Sequence, residues 1–293
     1  MSNVDANVIE MNEVKKNKRS VMRSIARSPL AMFGLAVVLL LVFCAIFATS
    51  IAPYPYSQQD LMNTFSPPSS AHWFGTDEFG RDIFSRIIFG ARISLFVGFI
   101  AVGIAIAVGG SLGAIAGYYG GKLDNVIMRC MDVLLSIPQT ILAISIAAAL
   151  GPGLFNLMIA VGIASTPAYA RIMRGAVLSV RSQEFVEAAR SVGSSDWLII
   201  VRHIIPNSMA PVIVQSTLGV ADAIISAAGL SFIGLGIQPP IPEWGAMLSG
   251  ARGYIRDYSY MTIFPGLAIM VTIMALNFLG DGLRDALDPK LKR

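Results

Sequence analysis

Five stretches of this chain are long, apolar and almost free of charge, and polar intervals separate them. Leu30 to Ala52 holds no charged residue over 23 positions, and Ile93 to Gly121 is a second such run. The third, Val133 to Ala170, extends over 38. The fourth begins at Ile204 and is broken by Asp222, and the fifth covers Ser259 to Gly280. A helix needs roughly 20 apolar residues to cross a bilayer, so each run predicts at least one span. The third is too long for one. Gly151-Pro152-Gly153 divides it near its middle and predicts two helices joined by a tight outer turn. The fifth span is then expected at about Pro211 to Leu235 and the sixth at about Ser259 to Gly280. The fold class is all-α, a polytopic membrane protein with six transmembrane helices and both termini on the cytoplasmic side.

The polar intervals set the predicted organisation. Residues 1–29 form a basic tail with Lys15, Lys16, Lys18, Arg19, Arg23 and Arg27, expected inside. The apolar core of 30–52 is longer than the roughly 7–15 residues of a signal peptide, so it reads as a retained first span. Residues 53–92 form an external segment, and 93–280 a core of five spans. That core contains a cytoplasmic loop at 171–210, and 281–293 is a cytoplasmic tail. A short interfacial helix is expected from Glu243 to Tyr254, with Trp244, Tyr254, Tyr258 and Tyr260 at the membrane boundary.

One polar interval is patterned like folded protein. From Arg181 to Asn207, Phe185, Ala188, Ala189 and Val192 recur at the spacing of one helix face. Gly193 can stop that helix, Ser194, Ser195 and Asp196 can cap a second one, and Pro206 ends or bends it. A helix, turn and helix between membrane blocks suggests a docking surface.

Composition agrees with the pattern. Only 14% of residues are charged and 55% are hydrophobic, with mean hydropathy +0.66. A soluble chain of this length would carry about a quarter charged residues. The net charge of +4 therefore speaks of membrane orientation and not of nucleic acid. Cys44 and Cys130 sit in or beside apolar runs and imply no disulfide. No nucleotide loop is present. The nearest, Gly120-Gly121-Lys122, has Ala116 and Leu123 where a phosphate loop needs Gly and Ser or Thr. His72 and His203 are expected on opposite sides and form no metal pair. An enzyme is not expected.

Two intramembrane features invite a role. Gly109, Gly113 and Gly117 form a small-residue row that permits close helix packing. Asp222 is an acid deep in a span, which is costly unless it faces water or a partner. It either lines a polar path or makes a structural hydrogen bond to a neighbouring helix.

Glu187-Ala188-Ala189, then Gly193, then Ile204-Ile205-Pro206 resembles the EAA loop of ABC importer permeases. The chain departs from the general pattern at His203, in a way similar to the peptide-importer branch. Further stretches resemble the dipeptide, oligopeptide, nickel and glutathione permeases. They include Gly75-Thr76-Asp77 with Gly80-Arg81-Asp82, Gly117-Tyr118-Tyr119-Gly120-Gly121, and Leu230 to Gly236 followed by Pro242-Glu243-Trp244-Gly245. The resemblance covers about residues 20–293 and is strongest to the second, C-type permease subunit.

That resemblance implies the transmembrane domain of a type I ABC importer in a bacterial or archaeal plasma membrane. It implies a homologous second permease, two ATPase subunits that hold ATP and Mg, and an external substrate-binding protein. The chain itself would hold no cofactor and no metal. Phe185, Glu187, Ala188, Ala189, Gly193, Trp197, His203 and Pro206 are the expected ATPase-coupling residues. Asp222 is the expected pathway residue. Asp77, Arg81, Asp82, Glu243 and Trp244 are expected to contact the binding protein or to brace the permease pair. Di- or oligopeptides are the expected cargo, with nickel, glutathione or another solute as alternatives. An ion-coupled secondary transporter is the competing class.

Overall fold

The computed structural model of the chain describes residue 26 and residues 28–287. The expectations for residues 1–25, 27 and 288–293 lie outside those described. Among the described residues the secondary structure is helical, with one isolated bridge between Thr76 and Asp82 and no extended strand.

The first helix, α1 (Pro29–Ile46), starts at Ser28, whose hydroxyl accepts from the Ala31 N–H at 3.3 Å. Proline at the first turn costs nothing there, because its missing N–H has no helical partner anyway. A short α2 (Ala48–Ile51) follows. Residues 53–82 are irregular apart from one turn at Leu61–Asn63.

The second spanning helix begins earlier than its charge-free run. α3 (Ile83–Ala105) starts at Asp82, whose carboxylate accepts from the Ser85 N–H at 2.7 Å. It continues through a π turn at Ile106–Gly110 into α4 (Ser111–Tyr119), 37 residues in all. Arg86 and Arg92 therefore lie on the helix and not in a loop. A charge-free run marks what can face lipid, whereas helix length is set by caps. Arg86 is buried and donates to Tyr56 O at 3.0 Å and Pro240 O at 3.2 Å, so its charge is satisfied by loops at that end.

The region after Tyr119 also departs from expectation. Lys122 to Arg129 is not a loop but part of α5 (Gly121–Leu135). Its partner α6 (Gln139–Leu150) meets it at 89° across a break that contains Pro138. Pro138 cannot sit inside a helix without losing a backbone bond, so the helix expected from Val133 starts only at Gln139. With 12 residues, α6 is about 18 Å long, short of the roughly 30 Å hydrocarbon core. The predicted glycine turn is present. Gly151 and Gly153 both have positive φ, and the Gly153 N–H donates to Gly236 O at 3.1 Å.

The centre of the bundle is α7 (Leu154–Val180), which touches α3, α4, α6 and a later helix, α10 (Ile205–Phe232). Its contact with the π turn and α4 uses the glycine row. A Cβ on Gly109 would meet Ala170 N at 3.0 Å, one on Gly113 would meet Arg174 N at 3.0 Å, and one on Gly117 would meet Val177 Cβ at 2.9 Å. The backbones are thus as close as glycine allows.

After α7 come α8 (Glu184–Ser191), α9 (Asp196–Ile199), a π turn at Ile200–Ile204, and α10. Pro206 does not end this helix. The chain widens into the π turn and Pro206 falls in the first turn of the next helical segment, where no N–H is needed. The expected interfacial helix is α11 (Trp244–Ala251) with a further turn at Arg252–Tyr254. The last helix, α12 (Tyr260–Leu287), runs past the expected end at Gly280 and packs against α1, where Gly282 lies on Ala31.

Four helices are long and apolar enough to cross a membrane: Pro29–Ile46, Ile83–Tyr119, Asp196–Phe232 and Tyr260–Leu287. The bent pair Gly121–Leu135 and Gln139–Leu150 makes five if it counts as one span.

Candidate functional site

Two polar constructions lie at opposite ends of the bundle. The first is the interval from Arg181 to Ile204. Its attachment starts at the C-terminus of α4. The last carbonyls of a helix lack partners within it. Arg181 supplies one, with its guanidinium donating to Gly117 O at 2.8 Å and Tyr118 O at 3.3 Å. Gly120, at φ +68, then turns the chain away.

Next in order, α8 ends on Gly193 at φ +79. The Gly193 N–H donates to Arg190 O at 3.0 Å and the Ser194 N–H to Ala189 O at 3.2 Å. That pair of bonds is the Schellman closure, which needs a left-handed residue. No neighbour would obstruct a Cβ on Gly193, so it is the backbone angle alone that demands glycine.

Tyr118 fixes the turn from beneath. Its hydroxyl donates to Asp196 Oδ1 at 2.5 Å, and the Arg190 guanidinium lies 5.8 Å from the centre of its ring. Asp196 is thus committed to Tyr118, and Ser195 occupies the cap position without a side-chain bond. Sequence reasoning missed Tyr118, Arg181 and Asp196 in this role. The signal was the Gly117 to Gly121 motif, which drew no partner until the fold brought it under the loop.

The loop buries one face and offers the other. Val186, Ile199 and Ile204 are fully buried and Ala189 is half-buried. Phe185, Val192 and Trp197 are exposed at 40%, 81% and 74%, with Ala188, Glu187, Leu198 and Val201 also outward. The periodic face from Phe185 to Val192 is therefore split. His203 is half-buried and Pro206 exposed. An apolar ridge of this kind on a rigid base fits a protein partner.

Replacing Tyr118 by Phe removes a hydrogen bond to a charged acceptor, a contact of about 2 kcal/mol. We expect backbone hydrogen exchange across Glu184–Ser191 to quicken at least several-fold, with Leu154–Val180 unchanged. Equal exchange in both proteins would show that the loop is held by other contacts.

The second construction lies at the other end. Asp77 accepts from Arg81 Nε at 2.6 Å and from the N–H groups of Phe79 and Arg81 at 2.9 and 3.0 Å, while Arg86 Nε lies 3.6 Å away. Asp82 bonds His72 Nδ1 at 2.9 Å with one oxygen and caps α3 with the other. Glu243 caps α11, accepting from the N–H groups of Gly245 and Ala246 at 2.9 and 2.8 Å. Burial pushes its carboxyl above the ordinary range, and those two N–H groups oppose the shift. Trp244 was expected at a membrane boundary. It is fully buried instead, and its Nε1 donates to Ile87 O at 3.1 Å.

Asp77, Arg81, Asp82, Glu243 and Trp244 are thus all buried within the chain, where they join residues 53–82, the start of α3 and the 236–243 loop. The exposed groups nearby are Leu61, Met62, Trp73 and Phe79. Asp77→Asn removes the carboxylate nearest two buried guanidinium groups and leaves Arg81 with Glu78 alone, at 3.4 Å. The expected loss is about 3–5 kcal/mol, read as a lowered thermal unfolding midpoint in detergent. A shift equal to that of a surface Asp→Asn change would mean water already reaches the cluster.

The remaining expected residue, Asp222, is exposed on α10, away from both constructions.

These features have known counterparts. Residues 109–293 match the family described as binding-protein-dependent transport system inner membrane component, and the chain belongs to that family. It is therefore a multi-pass membrane permease subunit and not a catalytic one. Residues 18–68 match the N-terminal transmembrane domain of oligopeptide transport permease C.

More particularly, the chain stands in the peptide and glutathione branch. It is 47% identical over 274 residues to the dipeptide transport system permease protein DppC of Alkalihalophilus pseudofirmus, covering 94% of this chain and 90% of that one. It is 48% identical over 286 residues to the glutathione transport system permease protein GsiD of Escherichia coli O157:H7, covering 97% and 94%. The fold resembles a chain of the inward-facing MetNI methionine ABC transporter, with TM-score 0.56 at 17% identity over 69% of this chain and 96% of that one.

Proposed function

We propose that the chain is one membrane half of an ATP-driven importer of di- and oligopeptides, and that the Arg181–Ile204 loop receives force from an ATPase subunit. The supporting observation is the apolar ridge of Phe185, Ala188, Val192 and Trp197 on a loop tied by Arg181 and Tyr118 to the end of a spanning helix. ATP and Mg bind on two partner ATPases. A homologous second permease completes the path, and an external binding protein delivers substrate. Similarity to both dipeptide and glutathione permeases favours a short peptide over a metal ion as cargo.

In this reading the chain crosses six times. The crossing helices are Pro29–Ile51, Ile83–Tyr119, the bent pair Gly121–Leu150, Leu154–Val180, Asp196–Phe232 and Tyr260–Leu287, and the last three extend past the bilayer into the cytoplasmic segments. Both termini, 1–29 and 281–293, then lie in the cytoplasm with the loop at 171–210. Arg171, Arg174, Arg181, Arg190 and Arg202 flank the spans on that side, as the positive-inside rule requires. The buried Asp77–Arg81 and Glu243–Trp244 clusters brace the outer end. Leu61, Met62 and Trp73 are the groups free to meet the binding protein.

The test is uptake by proteoliposomes holding the two permeases and two ATPases. Uptake of a binding-protein-delivered dipeptide requires ATP on the loop side and is indifferent to ion gradients. Uptake that persists without ATP and collapses with an ion gradient would establish a secondary transporter instead.

A further inference from the structure

We propose that Asp222, on an open polar stripe of α10, contacts a protonated amine of the substrate inside the membrane path. The proposal rests on the importer reading above and names the chemistry that the path selects.

Position comes first. Asp222 lies ten residues before Phe232 where α10 ends, about 15 Å along the helix. That is about half of a roughly 30 Å hydrocarbon core. A carboxylate at this depth is costly unless it meets water or a partner. Neighbours among the described residues do not provide one. The side chain is exposed, and no group among the described residues hydrogen-bonds it or pairs with its charge. The structural hydrogen bond that the sequence left open is therefore absent among these residues.

The surroundings come second. Gln215, Asp222, Ser226 and Gly229 follow one another at seven, four and three residues, which is one face of a helix. Hollows flank Asp222 on this face. One of about 350 Å³ is lined mostly by apolar groups, Ala143, Ile144, Ile225, Leu230 and Ile233, with the hydroxyls of Thr140 and Ser226 among them. The other, of about 510 Å³, is lined by Gln215 and Leu218 among apolar neighbours, and by Arg284 of α12. A face turned to lipid would have no use for an acid, an amide and a hydroxyl in register. A face turned to a wet path would. Arg284 lines the hollow beyond Gln215, so the preference for a cation over an anion of the same size is local to Asp222. The terminal ammonium is common to all peptides, so the amine that this carboxylate distinguishes is the side-chain ammonium of a basic residue.

The test uses the complete transporter in proteoliposomes with three dipeptides, Ala-Glu, Ala-Ala and Ala-Lys. Affinity of the external binding protein for each is measured separately and is untouched by the change. Asp222→Asn is expected to lower uptake of Ala-Lys about tenfold, the scale of one charge-assisted contact, and that of Ala-Glu least. Asp222→Glu is expected to keep the wild-type order. Should the Asn variant fail to reach the membrane, Asp222→Ser carries the same comparison. An equal loss for all three peptides, or no loss, overturns the proposal, because a purely structural acid would not distinguish substrate charge. If the wild-type transporter takes up none of the three, the importer reading itself fails.

Discussion

Gly113→Leu should leave almost no folded protein in the membrane, while Gly103→Leu on the same long helix should be tolerated. The two glycines differ in what faces them. A Cβ on Gly113 would strike the Ala170 backbone oxygen and reach Arg174 N at 3.0 Å, whereas nothing lies within 4 Å of a Cβ on Gly103. Backbone cannot yield as a flexible side chain can. The only relief is to separate Ile83–Tyr119 from Leu154–Val180. That would also undo the neighbouring contacts at Gly109 and Gly117, so the cost should exceed about 3 kcal/mol. Membrane abundance and the unfolding midpoint in detergent, measured for both variants, check this. Equal behaviour of the two would show that the bundle accommodates bulk at the crossing.

The second large effect is functional. Ala188→Asp should abolish ATP-driven uptake and co-purification of the ATPase, with insertion unchanged. Ala188 is exposed on the outer face of the Glu184–Ser191 helix, beside Phe185 and Val192. Its side chain is exposed, so the fold should not register the change. A partner closing over the ridge would bury an unpaired carboxylate, which costs far more than the lost methyl. Trp197→Ala should act in the same direction, since large exposed aromatics of this kind carry about 2 kcal/mol or more of an interface. ATPase retained on Ala188→Asp at wild-type ratio would remove the ridge from the docking surface.

How much of this could be read from the sequence depended on distance along the chain. The glycine row, the turn at Gly151–Gly153, the stop at Gly193 and the short helix at Trp244 are local, and each was legible. The start at Ile83 was not. Arg86 looked like a loop residue until Tyr56 and Pro240 were brought within hydrogen-bond reach. The same applies to the loop at 181–204. Its helix, its glycine and its aromatic groups were visible, but the post beneath it was not, because Tyr118 and Asp196 are 78 positions apart. Helix bends were misjudged where proline position outweighed hydropathy. Pro138 shortened a helix that the apolar run extended, and Pro206 was accommodated by a π turn that no residue pattern announced. Among the buried outer residues, Trp244 shows the general difficulty. An aromatic in a polar segment reads as a boundary group, and only packing reveals it as core.

The unbroken run from Ile83 to Tyr119 has a mechanical consequence. Its 37 residues make a rod of about 55 Å. Arg86, gripping the Pro240 carbonyl, sits near one tip, and Tyr118, gripping Asp196, at the other. Near-touching backbone at Gly109, Gly113 and Gly117 fastens the rod along Leu154–Val180 between those tips. The loop at Asp196 and the loop at Pro240 are thus tied to the two ends of one helix, although 44 positions separate them in the chain.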